Sequence, residues 1–215
     1  MSQSLSCPLC GAREPEHYHR DTRRDYWQCR TCALVFVPPD QRLSAEDERA
    51  VYDLHENSPD DFGYRRFLER LFAPLSERLA PGAHGLDFGA GPGPTLSLMF
   101  EEAGYPMAIY DPFYAPDTAM LERDYDFITA TEVVEHLFDP GHELERLISL
   151  LRPGGWLGLM TQRVISQQAF VRWRYTHDPT HVCFFSEATF HWLGDRLNMH
   201  VEFPARDVVL LQKQF

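Results

Sequence analysis

The sequence predicts an α/β fold, a mostly parallel sheet with helices on both faces, preceded by a small cysteine-rich module. Three observations carry that expectation. Two CxxC pairs stand in the first 32 residues, short β-prone runs alternate with helical repeats from residue 64 onward, and one such run passes directly into a glycine-rich turn. At 215 residues the chain can bury one full α/β core and still carry an appendage of a few dozen residues. With 44% apolar and 24% charged residues it has the composition of a packed globular chain, which excludes wholesale disorder.

The module comes first. Cys7/Cys10 and Cys29/Cys32 are separated by the 18 residues between Cys10 and Cys29, a zinc-site spacing. Each pair can set two thiolates about 2.3 Å from one ion, and two pairs close a tetrahedron with no position left for substrate, so the expected role is structural. CPLCG supplies a glycine after the first knuckle, and YWQCRTCALVFV an aromatic, β-branched strand after the second. The module, residues 1–37, resembles a zinc ribbon. In so short a unit, metal binding supplies the folding free energy that a tiny core lacks. The alternative is two disulfides or four idle thiols. His17 and His19 lie between the pairs, but four cysteines already complete a site, so surface or packing roles are expected. Cys183 stands alone in an apolar context and reads as a small buried hydrophobe.

Residues 38–63 shift to Pro, Asp, Glu, Ser and Asn and read as a linker with one short helix around 45–54. The expected main domain is 64–215. It opens with a helix in which Phe67, Leu68, Leu71, Phe72, Leu75 and Leu79 recur at helical spacing until Pro81-Gly82. A strand at 85–88, a helix near 95–103 and strands at 107–110 and 126–131 follow. A helix starting at Asp139-Pro140, with Leu144, Leu147, Ile148 and Leu151 on one face, leads through Arg152-Pro153-Gly154-Gly155 to a strand at 156–161. This alternation means a parallel sheet with crossover helices. A last helix, 186–197, precedes two strand candidates, 200–203 and 208–212, that can pair as a hairpin.

The central motif is Leu86-Asp87-Phe88-Gly89-Ala90-Gly91-Pro92-Gly93, an apolar strand running into glycines and then a helix. Glycines let the backbone turn tightly and approach a ligand where a Cβ would collide. Asp111 lies 20 residues after Gly91, at the end of the next strand, where a carboxylate can accept ribose hydroxyl hydrogens. A dinucleotide site favours GxGxxG, but here the third-glycine position is Pro94, and Asp87 adds a carboxylate suited to an amino-acid ammonium group. Methyl transfer is therefore favoured over hydride transfer.

At these residues the segment resembles motif I of class I S-adenosylmethionine-dependent methyltransferases, and Asp111 matches their acidic motif II residue. Thr129 to Leu137 and Leu151 to Trp156 resemble two further motifs, after strand four and before strand five. With the zinc module, the chain is similar to methyltransferase-23-type enzymes. The resemblance implies a Rossmann-like class I methyltransferase sheet, S-adenosylmethionine as cofactor, and Asp87, Gly89, Ala90, Gly91, Gly93, Asp111, Pro112, Thr131 and Glu132 around it. One departure stands out. Only 14 residues separate Asp111 from Asp126, too few for the usual helix, strand and helix, so strand three and its adenine-contacting acid are expected to be shortened or missing. Asp117, Thr118 and Ala119 remain as substitutes.

Methyl transfer from a sulfonium needs an aligned nucleophile and, for a hydroxyl acceptor, a base. Glu135, His136 and His181 are the catalytic candidates. Glu132, Glu135 and His136 have offsets that would group them on one side of a helical turn, and with His181 they offer ligands for a Mg²⁺ or Mn²⁺ ion that would orient acceptor oxygens. The pattern resembles metal-assisted O-methyltransferases, including ubiquinone-pathway and small-RNA terminal 2′-O-methyltransferases. The competing reading gives Glu135 a capping role, His136 the cofactor loop and His181 packing beside Phe184. His177 and Asp178 lie in the same late segment, and Trp173, Tyr175, Phe184 and Phe185 could wall an acceptor site or form core. The expected substrate is a small metabolite methylated on oxygen. RNA methylation, or a cofactor-binding docking protein without turnover, are the alternatives. A formal charge of −12 argues against a general phosphate-binding surface, and residues 1–37, with five arginines against four acids, do not share the acidity. No apolar run suits a membrane span, and the amino terminus lacks the pattern of a signal peptide, so a cytoplasmic protein without membrane contact is expected. Oligomeric state leaves no mark on the sequence.

Overall fold

The computed structural model describes residues 5–54 and 58–215. The first three strands, β1 (Glu16–Arg20), β2 (Asp25–Gln28) and β3 (Val35–Phe36), are followed by helices α1 (Ala45–Tyr52) and α2 (Phe62–Ser76). Then β4 (Gly85–Phe88), α3 (Thr95–Glu102), β5 (Met107–Tyr110), β6 (Tyr125–Thr131), α4 (Pro140–Ser149) and β7 (Leu151–Met160) alternate. The chain closes with α5 (Gln167–Phe170), β8 (Cys183–Phe184), α6 (Glu187–Leu197) and the hairpin β9 (Met199–Ala205) and β10 (Val208–Lys213).

The main sheet has the order β5-β4-β6-β7-β10-β9. Its first four strands are parallel, and β10 runs antiparallel to both neighbours. It ends at β5. Residues 112–124 form only a tight turn and one 3₁₀ segment, Thr118–Glu122, so the expected loss of strand three is what the fold shows. β7 starts earlier than the periodicity suggests. Leu151 already pairs with Tyr125, and Arg152 to Gly155 bulge before the register resumes at Trp156 opposite Phe127, with Gly154 at φ +78.

Alternation along the strands builds two cores. On one face Leu68, Leu71 and Leu75 of α2 and Leu96, Met99 and Phe100 of α3 meet Phe127, Met160 and Leu210. On the other, Leu144 and Leu147 of α4 and Phe190 and Leu193 of α6 cover Ile128, Leu157, Leu159 and Leu211. Caps match the sequence signals: Asp139 accepts from the His142 amide with Pro140 in the first turn, and Ser186 with Thr189 forms a capping box.

The cysteine module joins this second core. Cys7, Leu9, Tyr26 and Leu34 to Val37 belong to the same apolar cluster as Leu144 and Phe184. Its hairpin continues into the main domain, because β3 pairs with β8 in the four-stranded order β1-β2-β3-β8. The first knuckle packs so tightly that a Cβ on Gly141 would stand 2.5 Å from the Leu9 carbonyl oxygen. No helix among the described residues is long and apolar enough to cross a membrane.

Candidate active site

A cleft of about 750 Å³ opens at the carboxyl ends of β4, β5 and β6, where ligands sit in open α/β sheets. Asp87, Gly89, Ala90, Gly91, Gly93, Asp111, Pro112, Thr131 and Glu132 all line it, as do His136 and His181. Asp117, Thr118 and Ala119 lie outside, exposed on the 3₁₀ segment. Phe113 and Tyr114 take the wall beyond Asp111 instead.

The glycine turn is shaped by two constraints. Gly89 has φ +74, and a Cβ there would meet Val133 at 2.5 Å. Asp111 ties the turn down: its carboxylate accepts from the amides of Gly91 (3.0 Å), Phe113 (2.8 Å) and Tyr114 (3.0 Å). Asp87 is buried, accepting from the Thr129 hydroxyl at 2.7 Å and the Ser97 hydroxyl at 3.0 Å. Burial raises its carboxyl to about 6.

The opposite wall collects side chains from distant segments. His181 Nδ1 lies 2.7 Å from the Tyr175 carbonyl oxygen. A carbonyl only accepts, so Nδ1 carries a proton, and in the neutral ring the lone pair is on Nε2. Asp178 Oδ2 lies 3.8 Å from that Nε2. Burial alone would raise Asp178, but the Thr180 hydroxyl and amide, with His181 and His136 nearby, hold it below the usual carboxylate range. The His136 and His181 rings meet edge to face at 4.7 Å.

Glu135 departs from its expected place. It is fully buried and does not line the cleft. Its Oε1 accepts from the Tyr175 hydroxyl, which also contacts Thr161 Oγ1 at 3.2 Å. Burial pushes the Glu135 carboxyl up to about 7. Glu132 departs too. Its φ of +52 and the single 3₁₀ turn at Val134–His136 break the helical spacing that would have grouped it with Glu135 and His136. Burial first, then the Glu135 and Asp207 charges, push Glu132 to about 9. Donor atoms of Glu135, His136 and His181 do lie within 4.8 Å of one another, a group that could hold a cation and that omits Glu132.

Other side chains fall where sequence reasoning did not look. Glu48 and Tyr52 of α1, inside the expected linker, line the cleft with a 2.7 Å hydrogen bond between them. Their signal was an acid and an aromatic four residues apart on one helical face. Among the late aromatics, Tyr175 reaches the cleft, while Phe184 and Phe185 are core. His177 is exposed.

At the other end of the module the four Sγ atoms of Cys7, Cys10, Cys29 and Cys32 lie within 4.8 Å of one another, Cys7–Cys32 at 3.5 Å and Cys10–Cys29 at 3.4 Å, and all are free thiols. Tetrahedral zinc places its sulfurs about 3.8 Å apart, so these residues fit that ion. His17 bonds Asp25 and His19 stacks on Tyr26, both away from the thiol cluster. Cys183 is buried core.

The parallel sheet, the glycine turn with its acidic partner and the cleft at their carboxyl ends define a Rossmann-like methyltransferase. A family model described as a methyltransferase domain, Methyltransf_23, matches residues 62–202, and the chain belongs to that family. It is an enzyme of the methyl-transferring class. A search of curated proteins found no match. Among solved structures, the 1,6-didemethyltoxoflavin-N1-methyltransferase of Burkholderia thailandensis, with bound 1,6-didemethyltoxoflavin and S-adenosylhomocysteine, is 17% identical, with a TM-score of 0.51 over 93% of this chain and 100% of that one. An O-methyltransferase family protein of the same species is 12% identical, with a TM-score of 0.54 over 78% and 62%. Magnesium protoporphyrin IX methyltransferase of Synechocystis PCC 6803 with bound SAM is 16% identical, with a TM-score of 0.50 over 80% and 92%. These likenesses concern the fold.

Proposed function

We propose that this chain moves a methyl group from S-adenosylmethionine to an oxygen of a small metabolite, with His181 accepting the hydroxyl proton. The observation that carries the reading is the placement of His181: it lines the cleft, and its Nδ1 stands 2.7 Å from the Tyr175 carbonyl, which holds the ring in one orientation. When bound, S-adenosylmethionine supplies the electrophilic methyl carbon. Asp87 and Glu132 would hold its amino-acid end, and Asp111 and Pro112 its ribose. The glycine turn keeps the backbone low beneath it. Asp178 stabilises the imidazolium that forms when His181 takes the proton. Tyr52 and Tyr175 narrow the cleft beside His136 and His181 and exclude water.

Labelled S-adenosylmethionine offered with a library of hydroxyl-bearing metabolites tests this. His181→Gln should bind S-adenosylhomocysteine like the wild type and lose at least ~100-fold in turnover, the usual weight of a positioned base. Full turnover in that variant would remove the assignment.

The convergence of Glu135, His136 and His181 favours a second reading, in which Mg²⁺ or Mn²⁺ held there orients acceptor oxygens. Stimulation of turnover by added Mn²⁺, lost in His136→Ala, would select it. The cysteine site is proposed to hold structural zinc, which elemental analysis of the purified chain would find at one ion per chain.

A further inference from the structure

Arg24 sits in the turn of the β1–β2 hairpin, where Asp21 accepts the amides of Arg23 (2.6 Å) and Arg24 (2.7 Å). Unlike its neighbours Arg20 and Arg23 it is buried, at 6% exposure. A buried guanidinium is costly unless its N–H groups find acceptors. Nε is buried without a partner among the described residues, but the two terminal nitrogens do find acceptors, and all the carbonyls among them lie in one loop. One terminal nitrogen donates to the carbonyls of Pro179 (2.9 Å) and His181 (3.0 Å). The other donates to the carbonyls of Thr176 (2.8 Å) and Asp178 (3.0 Å) and to the Tyr26 hydroxyl (3.3 Å). Tyr26 in turn donates to Asp21 at 2.7 Å, bringing a carboxylate near the buried charge.

That loop carries His181 and Asp178. Beyond it, the Val37 amide donates to the Val182 carbonyl at 2.9 Å and β3 pairs with β8. The Val182 amide donates to the Glu135 carbonyl at 2.8 Å. The cysteine module therefore grips residues 176–184 at both ends, by a guanidinium on one side and a strand on the other.

We propose that Arg24 is a positioning residue, through which the cysteine module sets where His181 and Asp178 stand on the acceptor wall. A planar guanidinium suits the task because its diverging N–H groups can serve several carbonyls at once, whereas a lysine ammonium places all its donors on one atom. The catalytic sense of this placement rests on the proposed role of His181. The placement itself does not.

The test uses the full metal-loaded chain with Arg24→Gln, Arg24→Lys and, as control, Arg23→Ala, whose side chain makes one exposed bond to the His177 carbonyl. Three readouts apply: S-adenosylhomocysteine affinity by calorimetry, amide exchange over residues 176–182, and the ¹⁵N shifts of the His181 ring, assigned with His181→Gln. For Arg24→Gln we expect cofactor affinity within about twofold of wild type, since the glycine turn is untouched. Amides in 176–182 should exchange roughly 10- to 100-fold faster, the scale of losing charge-assisted bonds. The His181 ring should move from the Nδ1–H form toward a tautomer mixture. Arg24→Lys should restore part of the protection, and Arg23→Ala should change none of the three readouts. Wild-type exchange and an unchanged ring signature in Arg24→Gln would overturn the proposal. If Arg24→Gln does not fold, Arg24→Lys decides: a folded protein with a loosened loop supports it. Loss of cofactor binding in both variants overturns it, because Arg24 would then serve the whole fold. A loosened loop in Arg24→Gln beside full turnover in His181→Gln would remove the function reading and leave this inference intact.

Discussion

The two halves of the cleft are built by different means. The cofactor half comes mainly from one stretch of chain: β4, the glycine turn and β5 form a unit closed by Asp111, whose carboxylate reaches back 20 residues to the Gly91 amide, and the end of β6 completes it. The acceptor half is assembled from α1, the Val134–His136 turn and the loop before β8, with the cysteine module behind them. The first is largely a local motif. The second depends on tertiary contacts between segments more than a hundred residues apart, so damage to it can start far from the cleft.

Removal of the proposed zinc should separate the halves most strongly. Structural zinc in small modules carries on the order of 10 kcal/mol of folding free energy at neutral pH. Chelation, or Cys32→Ser, should therefore strip exchange protection from residues 5–37 and 174–184 together, through β3 and β8, before β4 and β6 lose theirs. Uniform loss across all strands would break the comparison. Next in size, Gly89→Ala should cost about 2–5 kcal/mol in urea unfolding, from a left-handed backbone and the collision with Val133, and abolish S-adenosylhomocysteine binding. Asp111→Ala should weaken that binding by about 1.5–3 kcal/mol in calorimetry, through lost charge-assisted bonds, while the acceptor wall keeps its exchange pattern. On the other half, Tyr175→Phe should cost about 1–3 kcal/mol of stability by taking the hydroxyl donor from buried Glu135, with cofactor affinity unchanged.

The last effect is one of pH. Glu132, raised to about 9, binds its proton more tightly folded than unfolded. Its contribution is therefore most favourable at low pH and declines as pH rises from the ordinary carboxyl value, about 4.5, to about 9. Glu135, raised to about 7, acts in the same direction over a narrower range. The melting temperature of the ligand-free protein should fall across that window, and Glu132→Gln should flatten the decline. An unchanged slope would show that Glu132 is ionised already.

What could be read in the sequence follows the same division. Strand, glycine turn and Asp111 are legible because neighbours in sequence make the structure, and the two CxxC pairs are legible because their spacing anticipates the cluster their four sulfurs form. The missing strand three could be counted from 14 residues. Glu132 misled because helical offsets presume a helix, and the chain instead turns left-handed at that residue. Glu135 looked like a base because it follows a strand end, yet only the packed fold shows Tyr175 holding it under the floor. Arg24 gave no signal at all. An arginine in a polar hairpin turn reads as surface, and its partners are backbone carbonyls more than 150 residues away, which no residue type announces. α1 was expected as a helix but not as a wall, since a polar segment advertises nothing about what covers it.

Tyr52 of α1 gives that wall a further meaning. Its ring lies 6.0 Å from Phe113, on the ribose side, and 5.4 Å from His136, on the acceptor side. One aromatic plane thus belongs to both chambers. A ligand that shifts the ring from either side changes the fit offered to the other, and thermodynamic reciprocity makes the two affinities change by the same factor. Coupling between donor and acceptor through this ring is visible as a dependence of each dissociation constant on the concentration of the other ligand.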